Sequence, residues 1–165
     1  MKSSSAMVLL VGSLAASLLA GATALAQGPH VMAPLKDAQW GPAPPMLPAG
    51  AQIAVLAGDP TKTGPYTVRL KFPANFTIPA HSHPTNEHVT VVSGDLFLGM
   101  GNVVDKSTAT PLGVGGFGLL PAGMNHFAFT RQETTVVLFG QGPVEFKYVN
   151  PADDPRNARG TTGSK

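Results

Sequence analysis

His81-Ser82-His83-Pro84-Thr85-Asn86-Glu87 and, further on, Pro121-Ala122-Gly123-Met124-Asn125-His126 are the two stretches whose reading decides the fold. In an extended strand, side chains two residues apart leave the backbone on the same side, so the imidazoles of His81 and His83 can grip one ion. Pro84 cannot continue a central ladder and Thr85-Asn86 suit a turn, which predicts a bend. Glu87 then opens the alternating run Glu87-His88-Val89-Thr90-Val91-Val92, and its carboxylate can return to the same centre. His126 starts another strand-like run after a Pro-Ala-Gly turn. A lone histidine is more often a satisfied core or surface group than a ligand. Three at these spacings, with a carboxylate, shift the balance to metal binding. Such a set leaves positions for water or substrate and suits one divalent transition metal ion: Fe, Mn, Ni, Cu or Zn. A closed structural zinc site would more often recruit cysteine, and the chain has none.

Residues 81–94 read His-x-His-x-x-x-Glu-x-x-x-x-x-x-Gly, and residues 115–126 read Gly-x-x-x-x-x-Pro-x-Gly-x-x-His, with 20 residues between Gly94 and Gly115. In order and in spacing these resemble the two sequence motifs of the cupin superfamily. The resemblance implies an all-β fold, a single jelly-roll β-barrel, with His81, His83, Glu87 and His126 as the metal ligands. Two departures stand out. Asn75 occupies the place of a glycine six residues before His81, and asparagine is the residue best able to replace glycine at positive φ. Thr130 stands where an asparagine often follows four residues after His126.

Upstream of this core the chain changes character. Residues 1–26 carry a lysine near the start, an apolar core, and Ala24-Leu25-Ala26 before Gln27, the layout of a secretory signal peptide. A membrane anchor is the competing reading. Gly12, Ser13 and Ser17 break an already short apolar core, which favours cleavage over stable insertion. The expected location is therefore periplasmic or secreted. Residues 27–50 hold six prolines and read as an extended arm without a core of its own. Trp40 and Met46 can dock that arm on the barrel or on a neighbouring subunit, or it is a partly ordered tail. His30 reads as a surface residue.

The barrel proper is expected over residues 51–149. Strand-like segments fall at 52–57, 66–72 and 76–78, then within the first motif, with a bend at Gly58-Asp59-Pro60. Arg69 and Lys71 alternate with Val68, Leu70 and Phe72, so they are expected to point into solvent rather than to bind substrate. The parity of Glu87 also holds Val89 and Val91, so His88 should face away from the centre. Ser93-Gly94-Asp95 reads as a hairpin and 101–113 as an irregular loop. The glycines between Gly113 and Gly118 precede a β-run and Pro121, not a lysine-bearing helix, which argues for sheet bends over a phosphate cradle. The final strands are expected at 134–139 and 144–149, before a tail over 150–165 that is ordered only near its start.

The formal charge of +2 carries no basic clustering, which argues against nucleic acid as a partner. Without cysteine, stability must come from packing, sheet pairing and the metal itself. An apolar pocket wall is expected from Val89, Val91, Ala128 and Phe139, with no second acid or base beside the cluster. That points to metal-centred redox chemistry on a small organic molecule, of dioxygenase type, ahead of an isomerase or decarboxylase. A cupin barrel hosts many chemistries. The alternative is an exported metal- or small-ligand-binding module without turnover, and a purely structural subunit is a third reading. Two-fold pairing of barrels is common in the superfamily, which leaves a homodimer open.

Overall fold

The structure, a computed structural model, describes residues 31–158. The expected signal peptide, the start of the arm with His30, and the last residues of the tail lie outside them. Strands run in sequence as β1 (Gly41–Pro42), β2 (Gln52–Ala57), β3 (Gly64–Phe72), β4 (Thr77–Ser82), β5 (Glu87–Ser93) and β6 (Leu96–Met100). They continue as β7 (Thr110–Leu112), β8 (Phe117–Leu120), β9 (His126–Phe129), β10 (Thr134–Gly142) and β11 (Lys147–Tyr148). One sheet has the order β1-β2-β3-β10-β5-β8 and the other β11-β4-β9-β6-β7, and the strand pairings are antiparallel. The two sheets close on each other as a jelly roll. Among the described residues no helix is long and apolar enough to cross a membrane.

Alternation explains the core. In β3 the residues Tyr66, Val68, Leu70 and Phe72 are buried, and they meet Val136 and Leu138 of β10 and Val89 and Val91 of β5 between the sheets. Asn75 turns the chain into β4 at φ 58°, the left-handed conformation its side chain tolerates best.

Four local expectations are corrected. Ser93-Gly94-Asp95 is no hairpin: β5 and β6 belong to different sheets, and the three residues form the corner between them. Gly94 takes φ 81° and packs against the backbone at Thr134, whose hydroxyl accepts from Asp95 N–H at 3.1 Å and donates to Asp95 C=O at 2.8 Å. The loop over 101–113 contains β7, paired with β6. Of residues 144–149, only Lys147–Tyr148 pair as a strand, while Val144 and Phe146 pack against the core as an irregular strap.

The fourth correction concerns the outer face of β3. Arg69 and Lys71 do leave the core, but the arm covers them instead of solvent. Arg69 donates to the Ala33 carbonyl at 2.8 Å, and the Lys71 ammonium sits 4.5 Å from the centre of the Trp40 ring. A proline-rich segment has few N–H groups of its own to offer, so it attaches through its carbonyls and its aromatic side chain. Further along, β1 pairs with β2, Ala43 N–H donates to Ala51 C=O at 3.0 Å, and Leu47 is buried in the barrel core. Trp40 and Met46 both rest on the barrel.

After β11 the chain makes a 3₁₀ turn over Pro151–Asp153 and a single helical turn over Pro155–Ala158. Arg156 there pairs with Asp154 and donates to the Phe146 carbonyl at 3.0 Å, which ties the tail to the strap.

Candidate metal centre

Neighbouring strands bring the histidines together. His81 in β4 lies directly opposite His126 in β9, and His83 follows two residues after His81 at the strand's end. Their ligating nitrogens all lie within 4.8 Å of one another, and all three residues are buried. Glu87 joins from the start of β5, its Oε2 3.5 Å from His83 Nε2 and 3.8 Å from His126 Nε2. His88, the next residue, points out of the barrel between the rings of Phe117 and Phe139.

A bulge makes this convergence work. On β9, Ala128 and His126 share one side of the strand, and they pair with Ile78 and His81 of β4. The two β4 residues are three apart, so strict alternation would send them to opposite faces. The extra residue at Pro79-Ala80 resets the parity, and both Ile78 and His81 line the interior. Pro79 lacks an N–H for the ladder, which is why a bulge forms here, and its carbonyl then holds the His81 ring.

Each imidazole is oriented through its other nitrogen. Nδ1–H donates to a backbone carbonyl in all three: His81 to Pro79 at 2.7 Å, His83 to Glu145 at 2.7 Å and His126 to Met124 at 3.0 Å. That pattern fixes the tautomer, so in each neutral ring Nε2 is the atom that carries the free lone pair. His83 Nε2 and His126 Nε2 are buried and have no hydrogen-bond partner among the described residues. Buried polar atoms are almost always paired, so two orphans facing one point need an occupant. Two donors each about 2.1 Å from one cation stand roughly 3.0–3.6 Å apart, and the Glu87 contacts are close to that range while long for good hydrogen bonds. The three histidines fit a metal ion.

Two of the three imidazoles are held neutral by their surroundings. Burial, and then the neighbouring His126 and His83, push the His81 imidazole down to about 2. Burial likewise lowers His126. His83 is raised: its burial is outweighed by the Glu87 carboxylate and the Glu145 carbonyl. The cluster therefore holds at least two neutral imidazoles beside one carboxylate, a donor set and not a cationic patch.

Loops lace the two motifs together. Asn86 Oδ1 accepts from Ala122 N–H at 2.9 Å, and the His83 carbonyl accepts from Gly123 N–H at 2.8 Å. The strap contributes Phe146, which stacks on His81 at 4.6 Å between ring centres and meets His83 edge-on at 4.5 Å. The sequence expectation of a strand over 144–149 does not reveal the Glu145 carbonyl or the Phe146 ring as parts of the site.

A cavity of about 70 Å³ opens on His81, Glu87 and His126 and runs into the barrel. Val89 and Ala128 line it as expected, with Leu138 and Phe146, while Pro44, Met46 and Leu47 of the arm roof it. Val91 belongs to the core cluster and not to the lining. Phe139 is corrected outright: it is 42 % exposed on the outer face beside His88, because the β10 register turns Val136, Leu138 and Gly140 inward. Tyr66 is a lining residue the sequence reading passed over, although it shares the parity of Val68 and Leu70. Burial, and then the Glu87 carboxylate, push its phenol up to about 12, so it keeps its proton.

The family described as the ChrR cupin-like domain matches residues 29–145, well over half of the chain. The chain belongs to that cupin family. Solved cupin folds bear out the architecture. A Methylibium petroleiphilum protein, provisionally assigned as an acetylacetone dioxygenase, superposes with TM-score 0.60 at 17% identity, covering 84% of this chain and 97% of that one. The polyketide cyclase RemF of Streptomyces resistomycificus gives 0.59 at 16% identity over 78% and 91%. An RmlC-like cupin of Shewanella frigidimarina gives 0.53 at 15% over 70% and 92%. At these identities the likeness concerns the fold. No curated protein matches this cupin in sequence.

Proposed function

We propose that this cupin binds one divalent transition metal ion through His81, His83, His126 and Glu87, and that it is an exported metalloenzyme of dioxygenase type acting on a small organic molecule. The observation that carries the reading is the set of three imidazoles whose Nδ1 groups are each tied to a carbonyl while two buried Nε2 atoms face a shared point without a partner. Fe, Mn, Ni, Cu and Zn all accept this donor set.

When bound, the cation supplies Lewis acidity and, for a redox-active ion, a path for single electrons. The chain's own residues do the rest. Pro79, Glu145 and Met124 hold the rings in ligating tautomers, and the Glu87 carboxylate offsets positive charge. The apolar wall and the arm keep bulk water out, which strengthens every electrostatic interaction inside. Glu87 is the one carboxylate of the lining, and as a ligand it would be unavailable for proton shuttling. That absence of a free acid–base group supports redox chemistry over isomerisation. The Methylibium protein's provisional assignment, a dioxygenase for acetylacetone, is consistent with the same reading.

Elemental analysis of the purified chain tests the first half: about one equivalent of a transition metal is expected, and its loss in His126→Ala. Oxygen uptake by Fe- or Mn-loaded protein with small diketones and phenols tests the second. Metal without oxygen uptake, with those compounds binding reversibly, would instead assign a non-catalytic binding module.

A further inference from the structure

The cavity next to the histidines is almost bare of hydrogen-bonding groups. Beyond His81, Glu87 and His126, the one lining side chain that can donate or accept is Tyr66. It is 6 % exposed, and its hydroxyl makes no hydrogen bond with any described residue. The hydroxyl oxygen is not among the sealed, unpartnered polar atoms of the described residues, so it stays open to a group entering the cavity that Tyr66 lines.

Strand register shows where that hydroxyl points. Tyr66 of β3 pairs with Gly140 of β10, and Phe139 pairs with His88 of β5, so Gly140 lies between Tyr66 and Glu87 in one row. A Cβ on Gly140 would stand 2.7 Å from the Tyr66 hydroxyl oxygen and 2.9 Å from the carbon bearing it. The phenol therefore lies across the glycine, its hydroxyl directed along the row toward Glu87 and the metal centre. Only a residue without a side chain permits this.

We propose that Tyr66 is the substrate-orienting donor of the pocket. It hydrogen-bonds one oxygen of a compact ligand that is apolar apart from two neighbouring oxygen atoms, as in a β-dicarbonyl or an ortho-diphenol, while the second oxygen faces the histidine cluster. The inference rests on the metal-binding reading above and deepens it by naming the substrate class. Polyols and sugars are excluded on the same ground, because their further hydroxyls would be buried against Leu, Val and Phe without partners.

The test uses the full chain saturated with Zn(II), which supports binding without turnover, and two probes: acetylacetone, which carries both oxygens, and azide, which needs only the metal. In Tyr66→Phe the metal content should stay unchanged, acetylacetone should bind about tenfold more weakly by calorimetry, and azide should bind within about twofold of wild type. Equal acetylacetone affinities in the two proteins, or parallel losses for both probes, would overturn the role of Tyr66. So would loss of metal from the variant. Zinc uptake by the wild type without any acetylacetone binding would overturn the substrate class. A wild type that takes up no zinc is distinguishable at once by elemental analysis, and it would remove the metal-binding reading and this inference together.

Discussion

His81 and His126 face each other directly across β4 and β9, with 4.3 Å between ring centres, and neither ring can take up a proton without a penalty. A cation between them removes that penalty by giving both Nε2 lone pairs a partner. The pair therefore couples ion binding to the stability of the barrel.

Metal saturation should stabilise the fold measurably. At a free ion concentration one hundred times Kd the gain is about 2.7 kcal/mol, which for a domain of this size raises Tm by roughly 10 °C. His126→Ala should keep a folded barrel and lose that increment. Differential scanning fluorimetry with and without added ion reads both outcomes. An undiminished metal-dependent rise in the variant would remove His126 from the ligand set.

The metal-free protein should weaken as pH falls from 7 to 5. His81 and His126 have folded-state pKa values below the ordinary 6.5, so the unfolded chain binds more protons below that value and stability drops. His81 alone would contribute about 2 kcal/mol of loss by pH 5. His83 is raised and opposes the trend, its contribution being present at low pH and lost as pH rises through its folded value. The His81 shift is the large one of the three, so the net slope is toward instability in acid. Urea titrations at the two pH values, with a chelator present, measure it. His81→Leu should flatten the dependence.

Gly140→Ala should destabilise through overpacking, by about 1–3 kcal/mol, because the new methyl meets the Tyr66 ring and not open space. In the double variant Gly140→Ala, Tyr66→Leu much of that cost should return. Additive losses in equilibrium unfolding would mean that the two positions do not share the row across β3, β10 and β5.

Tyr148 donates its hydroxyl to the Met46 carbonyl at 2.7 Å and so fastens the arm over the cavity. Tyr148→Phe should cost about 1 kcal/mol and should speed proteolytic cleavage within residues 31–46 while sparing the barrel. Limited proteolysis followed by mass spectrometry would show it. Unchanged cleavage would mean that the other contacts of the arm, those of Ala33, Trp40, β1, Ala43 and Leu47, hold it without this bond.

Much of this was legible beforehand. Motif spacing led to the three histidines because two loops and two strands of set length must bring them to one place. Parity turned His88 outward and Val89 inward correctly, since alternation is a property of the strand itself. Asn75 announced a left-handed turn by its chemistry. What escaped were features decided by partners far away in sequence. Ser93-Gly94-Asp95 has the composition of a hairpin, and only the packing of Thr134 against it makes it a corner between sheets. Phe139 looks as apolar as Leu138, and register alone decides which one faces the cavity. The strap at Val144 and Phe146 alternates like a strand but has no neighbour to pair with until β11. Pro79 inside a strand was the one local hint of the bulge.

That bulge has an evolutionary corollary. Removing Ala80 would change no ligand and no charge, yet it would rotate His81 to the outside and disarm the centre as thoroughly as replacing the histidine. Drift in this strand is thus freer by substitution than by deletion, and single-residue gaps between Ile78 and His81 should be selected against even where side-chain identity is tolerated.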